Sequence, residues 1–177
     1  GREPQHVVPS WDLKKLWVTQ DLQDQITMID PATGKKGATI HIDDPYNMYY
    51  TPDGKAAIIC AERQRRLDFR DAQTVKVIKR VPVGCEGVNH IDFSRDGRYL
   101  IATCEFSGEI IKVDVPGQRV ISKMKLSPPG MPQDVKLSPD AKVFYVANME
   151  AGGVHVIDGD HFTQLGFMKT GAGTHGL

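Results

Sequence analysis

The chain has 177 residues, enough for one ordinary domain, and its 22 basic side chains offset 22 acidic ones. A formal charge of +0 removes the broad electrostatic footprint of a general nucleic-acid binder. With 40% hydrophobic and 25% charged residues it is not a disordered polyelectrolyte, and no apolar run approaches the roughly 20 residues of a helical bilayer span.

Self-similarity orders the rest. The first repeat carries Ser10-Trp11-Asp12, a β-rich run at 16–19 and a third segment ending at Asp30. The second carries Thr51-Pro52-Asp53-Gly54, the run 57–60 and Asp71. The third carries Ser94-Arg95-Asp96-Gly97, the run 100–103 and Asp114. The fourth carries Ser138-Pro139-Asp140-Ala141, the run 144–147 and Asp158. The four Ser/Thr marks stand 41, 43 and 44 residues apart, and each repeated Asp follows its mark by 20. Each repeat reads as four short strands. The S/T-x-D-G string forms a tight turn whose Asp bonds nearby amides and whose Gly tolerates positive φ. Long amphipathic helical patterns are absent, so the fold class is all-β.

Four-stranded units of about 40–45 residues have the spacing of β-propeller blades. The last repeat, with Ser138-Pro139-Asp140, Tyr145-Val146-Ala147-Asn148 and an apolar run to Asp158, resembles the YVTN-type propeller repeat. Lactonase-like and haem d1-binding propellers are relatives in that resemblance. It implies blades near 5–42, 45–83, 88–126 and 132–169, with 173–177 starting a further blade. It also implies that this is a four-blade portion of a ring of about seven, completed by further blades or by self-association. Periplasmic or extracellular placement follows from the same likeness. Fold does not fix activity.

The resemblance places the lead-in to each first strand and the loop between second and third strands on one binding face. Four residues before each mark stand His6, Asn47, His90 and Asp134; one earlier stand Gln5, Tyr46, Asn89 and Gln133. His175 begins the equivalent column of a following blade. These polar groups suit a ligand at a channel mouth, or they cap buried loop amides. Eleven residues after the marks come Asp21, Glu62, Glu105 and Met149. Arg63, Arg65, Arg66 and Arg70 between strands two and three of the second repeat could grip a carboxylate, phosphate or tetrapyrrole propionate.

Three cysteines occur without a CxxC or CxxCH motif. If residues 94–97 close a hairpin, position 87 faces Cys104 and Cys85 lies a short loop away. Cys85 and Cys104 are then separate buried thiols, a disulfide, or thiolates of a transition-metal site with His90 and Glu105. His6 and His175 complete the metal candidates. Trp11 and Trp17 read as packing groups, and His155 as an ordinary strand residue.

Two functions compete. The first is a ligand- or protein-binding scaffold without catalysis, taking a small molecule or a protein but no nucleic acid. The alternative is a divalent- or transition-metal enzyme, a tetrapyrrole-dependent one, or a lactonase-like hydrolase, with its site at the channel mouth.

Overall fold

A computed structural model of the protein describes residues 3–177. Among these residues lie four antiparallel sheets of four strands, each sheet ordered as in the sequence. This is a β-propeller with four blades. Blade one holds β1 (Pro4–Pro9), β2 (Leu16–Gln20), β3 (Gln25–Ile29) and β4 (Lys36–His41), with one 3-10 turn at Asp21–Gln23. Blade two holds β5 (Pro45–Tyr50), β6 (Ala56–Ala61), β7 (Arg66–Asp71) and β8 (Val77–Pro82). Blade three holds β9 (Val88–Phe93), β10 (Tyr99–Cys104), β11 (Glu109–Asp114) and β12 (Arg119–Lys125). Blade four holds β13 (Pro132–Leu137), β14 (Phe144–Asn148), β15 (Gly153–Asp158) and β16 (Thr163–Lys169). Among the described residues no helix is long and apolar enough to cross a membrane.

Two compact units divide the chain, one through Pro82 and one from Val83 onward. In the first, Trp17 and Ile26 of blade one meet Met48, Ala57, Ile59 and Val75 of blade two. In the second, Ile101, Ile110 and Leu126 of blade three meet Val135, Phe144, Val146 and Ile157 of blade four. Burying each of the larger aliphatic and Phe side chains stabilises the fold by about 1.5–3 kcal/mol. The middle strands carry the apolar residues, whereas the fourth strands β4, β8 and β12 are largely solvent-facing.

Every blade has two ends of different chemistry. One end, the turn end, holds the first hairpin and the β3–β4-type turn. There the mark's hydroxyl donates to the Asp two residues on, at 2.7–2.8 Å in all four blades. The same carboxylate oxygen accepts an amide from Lys14, Lys55, Arg98 or Lys142. The next residue of each turn, Leu13, Gly54, Gly97 and Ala141, takes φ between 58° and 68°. Asp30, Asp71, Asp114 and Asp158 cap the second turn by the same logic, accepting amides two or three residues ahead. Four residues past each, Gly34, Val75, Gln118 and Phe162 also adopt positive φ. Only glycine does so without steric cost, so three of these four turns hold strain.

Candidate functional site

The opposite end carries the lead-in to each first strand and the loop between the second and third. In all four blades the pairing of first and second strands shifts register there. The shifts fall between Pro4 and Val7, Pro45 and Asn47, Pro132 and Val135, and against Ala102 and Cys104, where Ile91 and Val88 are the partners. Gln5 with His6, Tyr46, Asn89 with His90, and Gln133 with Asp134 therefore sit on bulges. A bulge breaks the alternation of the strand and re-aims a side chain, which is why bulges collect beside binding sites. The hairpin closes on Phe93 and Leu100, which corrects the register expected from the turn: Val88, not position 87, faces Cys104.

In blades three and four the bulged residues form one network. Asn89 is fully buried and its amide nitrogen donates to Glu105 Oε2 at 3.1 Å and to Gln133 Oε1 at 3.2 Å. Its oxygen accepts the His90 amide at 2.8 Å and the Thr103 hydroxyl at 2.6 Å. The Asn89–Gln133 bond joins adjacent blades. Beside it, His90 Nδ1 lies 3.8 Å from Asp134 Oδ1, and Lys136 Nζ lies 3.3 Å from the same oxygen. The His175 ring stands edge-on to His90 at 6.0 Å between centroids. Asp134 also fixes the segment carrying His175: its amide donates to the His175 carbonyl, and its Oδ2 accepts the Leu177 amide at 3.2 Å. Residues 173–177 form no strand among the described residues.

Blades one and two use the same positions differently. The His6 amide donates to Thr19 Oγ1 at 3.0 Å, and that hydroxyl donates to the Tyr46 carbonyl of the neighbouring blade at 2.8 Å. The His6 and Tyr46 rings meet edge-on at 5.2 Å. Gln5 reaches Asp21 at 3.4 Å. Asn47 donates to the Tyr49 hydroxyl and accepts the Met48 amide. The earlier polar column and the acidic column are thus linked within a blade, as Gln5–Asp21 and Asn89–Glu105 show.

The arginines are turned toward protein carboxylates. Arg63 Nε donates to buried Asp44 at 2.8 Å, and its Nη2 to the Asp21 carbonyl. Arg66 bonds Asp68 at 2.8 Å and Asp43 at 3.1 Å. Arg70 is a buried strand residue bonded to Asp68 and to the Val75 carbonyl, not a loop cation. Arg65 is exposed at a φ of 52°. With Arg63 and Arg66 held this way, the set does not fit the propionates of a tetrapyrrole.

Cys85 and Cys104 form a disulfide with Cα atoms 6.1 Å apart. The separate-thiol and thiolate–metal readings are corrected by that bond, since a bridged sulfur is no thiolate ligand. Among the described residues no group of three or more His, Cys, Asp or Glu side chains gathers as a metal site. His90 and His175 stand edge-on to each other but do not gather with Glu105 as a metal set, and His6 belongs to the first unit. Cys60 is buried, and burial pushes its thiol far above the ordinary range.

Sequence reasoning missed four contributors. Thr19 and Thr103 stand nine residues after their marks, a shared column that was legible as a pair of hydroxyls in apolar runs. Asp44, before β5, carried no repeated signal. His155 is fully buried, contrary to expectation for it, with Nε2 2.9 Å from Asn148 Nδ2. Asn148 Oδ1 accepts the Met131 and Ala151 amides, so its nitrogen must donate and His155 Nε2 must be the unprotonated one.

The sequence model of the YNCE-like beta-propeller family matches residues 1–177. No curated protein matches the chain. Among solved structures, hydrazine synthase of Kuenenia stuttgartiensis superposes with a TM-score of 0.83 at 22% identity, over 95% of this chain and 49% of that one. U3-55K superposes with a TM-score of 0.80 at 16% identity, over 98% of this chain and 54% of that one. Dihydro-haem d1 dehydrogenase NirN, in complex with DHE, gives 0.74 at 13%, over 93% of this chain and 37% of that one. The chain thus spans about half or less of each of these proteins, and likeness at such identity concerns the fold.

Proposed function

Because the chain belongs to the YNCE-like β-propeller family, we propose that it is a binding scaffold whose ligand, a small molecule or a protein, is held at the bulged end of blades three and four. One observation carries this reading: the buried chain from Thr103 through Asn89 to Gln133, with part-buried Glu105 on the same amide, shared between two blades. Oriented amides and carboxylates beside partly exposed Glu105 and Asp134 offer a ligand fixed donors and acceptors without reorganisation. The test is a fragment screen read by amide chemical shifts in 15N-labelled protein. Hits should cluster on residues 88–90, 103–105 and 133–134. No hits at these amides overturns the reading. A stoichiometric haemin band, or lactone turnover dependent on Ca2+, moves it to the enzymatic alternative.

Two further readings belong to this proposal. The Cys85–Cys104 bridge favours an oxidising compartment, hence periplasmic or extracellular placement. Native protein alkylated after unfolding without reductant should then show one reactive thiol, Cys60. Completion by another propeller blade is favoured by the exposure of Val7. The equivalent Met48 and Val135 are 1% and 0% exposed against the preceding blade, whereas Val7 is 61% exposed. A blade face like that of Trp17 and Ile26 fits it. Sedimentation should show a self-associated form, and the Val7 amide should gain hydrogen-exchange protection in it.

A further inference from the structure

The turn end carries an aromatic side chain after the mark in one blade of the four. The position after the Ser/Thr mark is Pro52, Arg95 or Pro139 in blades two to four, but Trp11 in blade one. Trp11 is 52% exposed, and the turn does not need it, because Ser10 and Asp12 make the same bonds as their counterparts. Its ring lies on Gly54 of blade two so closely that a Cβ there would collide with the indole. One side of the ring thus rests on bare backbone while the residue borders a cleft of about 360 Å³. Trp17, Asp12, Lys15 and Gln73 line the same cleft. That volume is within the range of small-molecule sites, about 300–1,000 Å³.

We infer that this cleft binds a neutral carbohydrate, with a pyranose ring stacked on Trp11. The π-face of an indole is electronegative and attracts the weakly positive C–H hydrogens on one side of a sugar ring, while the surface apolar area is covered. The rim supplies what the hydroxyls need. Asp12 offers an acceptor, Lys15 a donor and the Gln73 side-chain amide both, and neither the Lys15 ammonium nor the Gln73 side-chain amide makes a hydrogen bond among the described residues. One carboxylate and one ammonium on the same rim favour neither a cation nor an anion, which selects a neutral, hydroxyl-rich ligand. The matching cleft of blades three and four, lined by Arg95, Tyr99, Asp140 and Asp160, has no such platform. There the Tyr99 hydroxyl donates to Asp160 at 2.8 Å and its ring face is covered by Lys112 Nζ at 4.0 Å from the centroid.

The protein reports on the site directly, because its 2 tryptophans both line this cleft. Intrinsic fluorescence is titrated with glucose, maltotriose and N,N′-diacetylchitobiose. At least one should give a saturable change, with affinity at least tenfold weaker in Trp11→Ala, retained within about threefold in Trp11→Phe, and weakened in Gln73→Ala. Half-exposed Trp11 and exposed Gln73 can be replaced without opening the core, and a thermal melt verifies that each variant folds. No saturable response to any of the three sugars overturns the assignment. So does a response unchanged in both Trp11→Ala and Gln73→Ala, or one seen with adenosine alone.

Discussion

The two ends of each blade obey different rules. At the turn end, four copies of one hydroxyl–carboxylate–amide arrangement recur at nearly constant distances, closed within a few residues of chain. At the bulged end, the same columns hold Gln, Tyr, Asn and Gln, and bonds run across blades, as Asn89–Gln133 and Thr19–Tyr46 do. A scaffold must repeat for the blades to stack. A site must not repeat, because a ligand is not four-fold symmetric. Repetition and its loss therefore separate what holds the fold from what gives this chain its own chemistry.

Losses should be largest where the bulged end is tied down. Reducing the Cys85–Cys104 bridge removes a 19-residue constraint and should lower stability by about 3 kcal/mol in urea unfolding. A shift below about 1 kcal/mol would mean that the hydrogen-bond network alone holds this lead-in. Asn89→Ala should cost about 2 kcal/mol, since it strands Gln133, Thr103 and Glu105 groups that now share one amide. Equal cost from Asp96→Ala would erase the distinction between the ends.

Acid should separate the ends as well. Burial pushes the His155 imidazole down to about 4, from an ordinary value of 6.5. The unfolded chain therefore binds a proton that the folded one resists. His155's contribution is complete above about pH 6.5, declines as pH falls toward 4, and is flat below that, for a loss of about 3 kcal/mol at most. His155→Gln should flatten this window. The turn-end carboxylates behave oppositely in range. Backbone and side-chain hydrogen bonds hold Asp96 at about 2, chiefly the Arg98 amide, and the Ser10 hydroxyl foremost lowers Asp12. Their contribution is intact above the ordinary carboxylate value and is lost only as pH falls below it. Two acid phases are expected in the wild type, the upper one absent in His155→Gln.

The smallest effect tests the strained turns. Ala141→Gly and Gln118→Gly relieve positive φ at 60° and 47°, and each should gain up to about 1 kcal/mol. Gly97→Ala should lose a similar amount. Gains at 141 with none at 118 would mean that only the first hairpin is conformationally strained.

The scaffold was readable because its signals are local. Ser94, Asp96 and Gly97 interact within five residues, so their spacing states their geometry. The bulges were not readable, because an inserted residue in one strand leaves no composition mark and shifts pairing by a single step. The partner of Cys104 was missed because the first hairpin closes on Phe93 and Leu100, and the bulge hid the pairing of Gln5 with Asp21 and of Asn89 with Glu105. Arg63, Arg66 and Arg70 misled for a related reason. Their partners Asp43, Asp44 and Asp68 are reached through loop closure and burial, which charge spacing alone does not report. His155 looked ordinary on its strand because polarity does not reveal that Asn148 waits beside it.

The claim that the bulged end is one coupled site across blades is tested most directly by a double-mutant cycle on Asn89 and Gln133. Denaturation of Asn89→Ala, Gln133→Ala and the double variant should give a coupling energy of about 1 kcal/mol or more, whereas Asp96→Ala with Asp140→Ala, at the turn end of the same two blades, should be additive within about 0.5 kcal/mol. Additive losses at Asn89 and Gln133 would contradict the account.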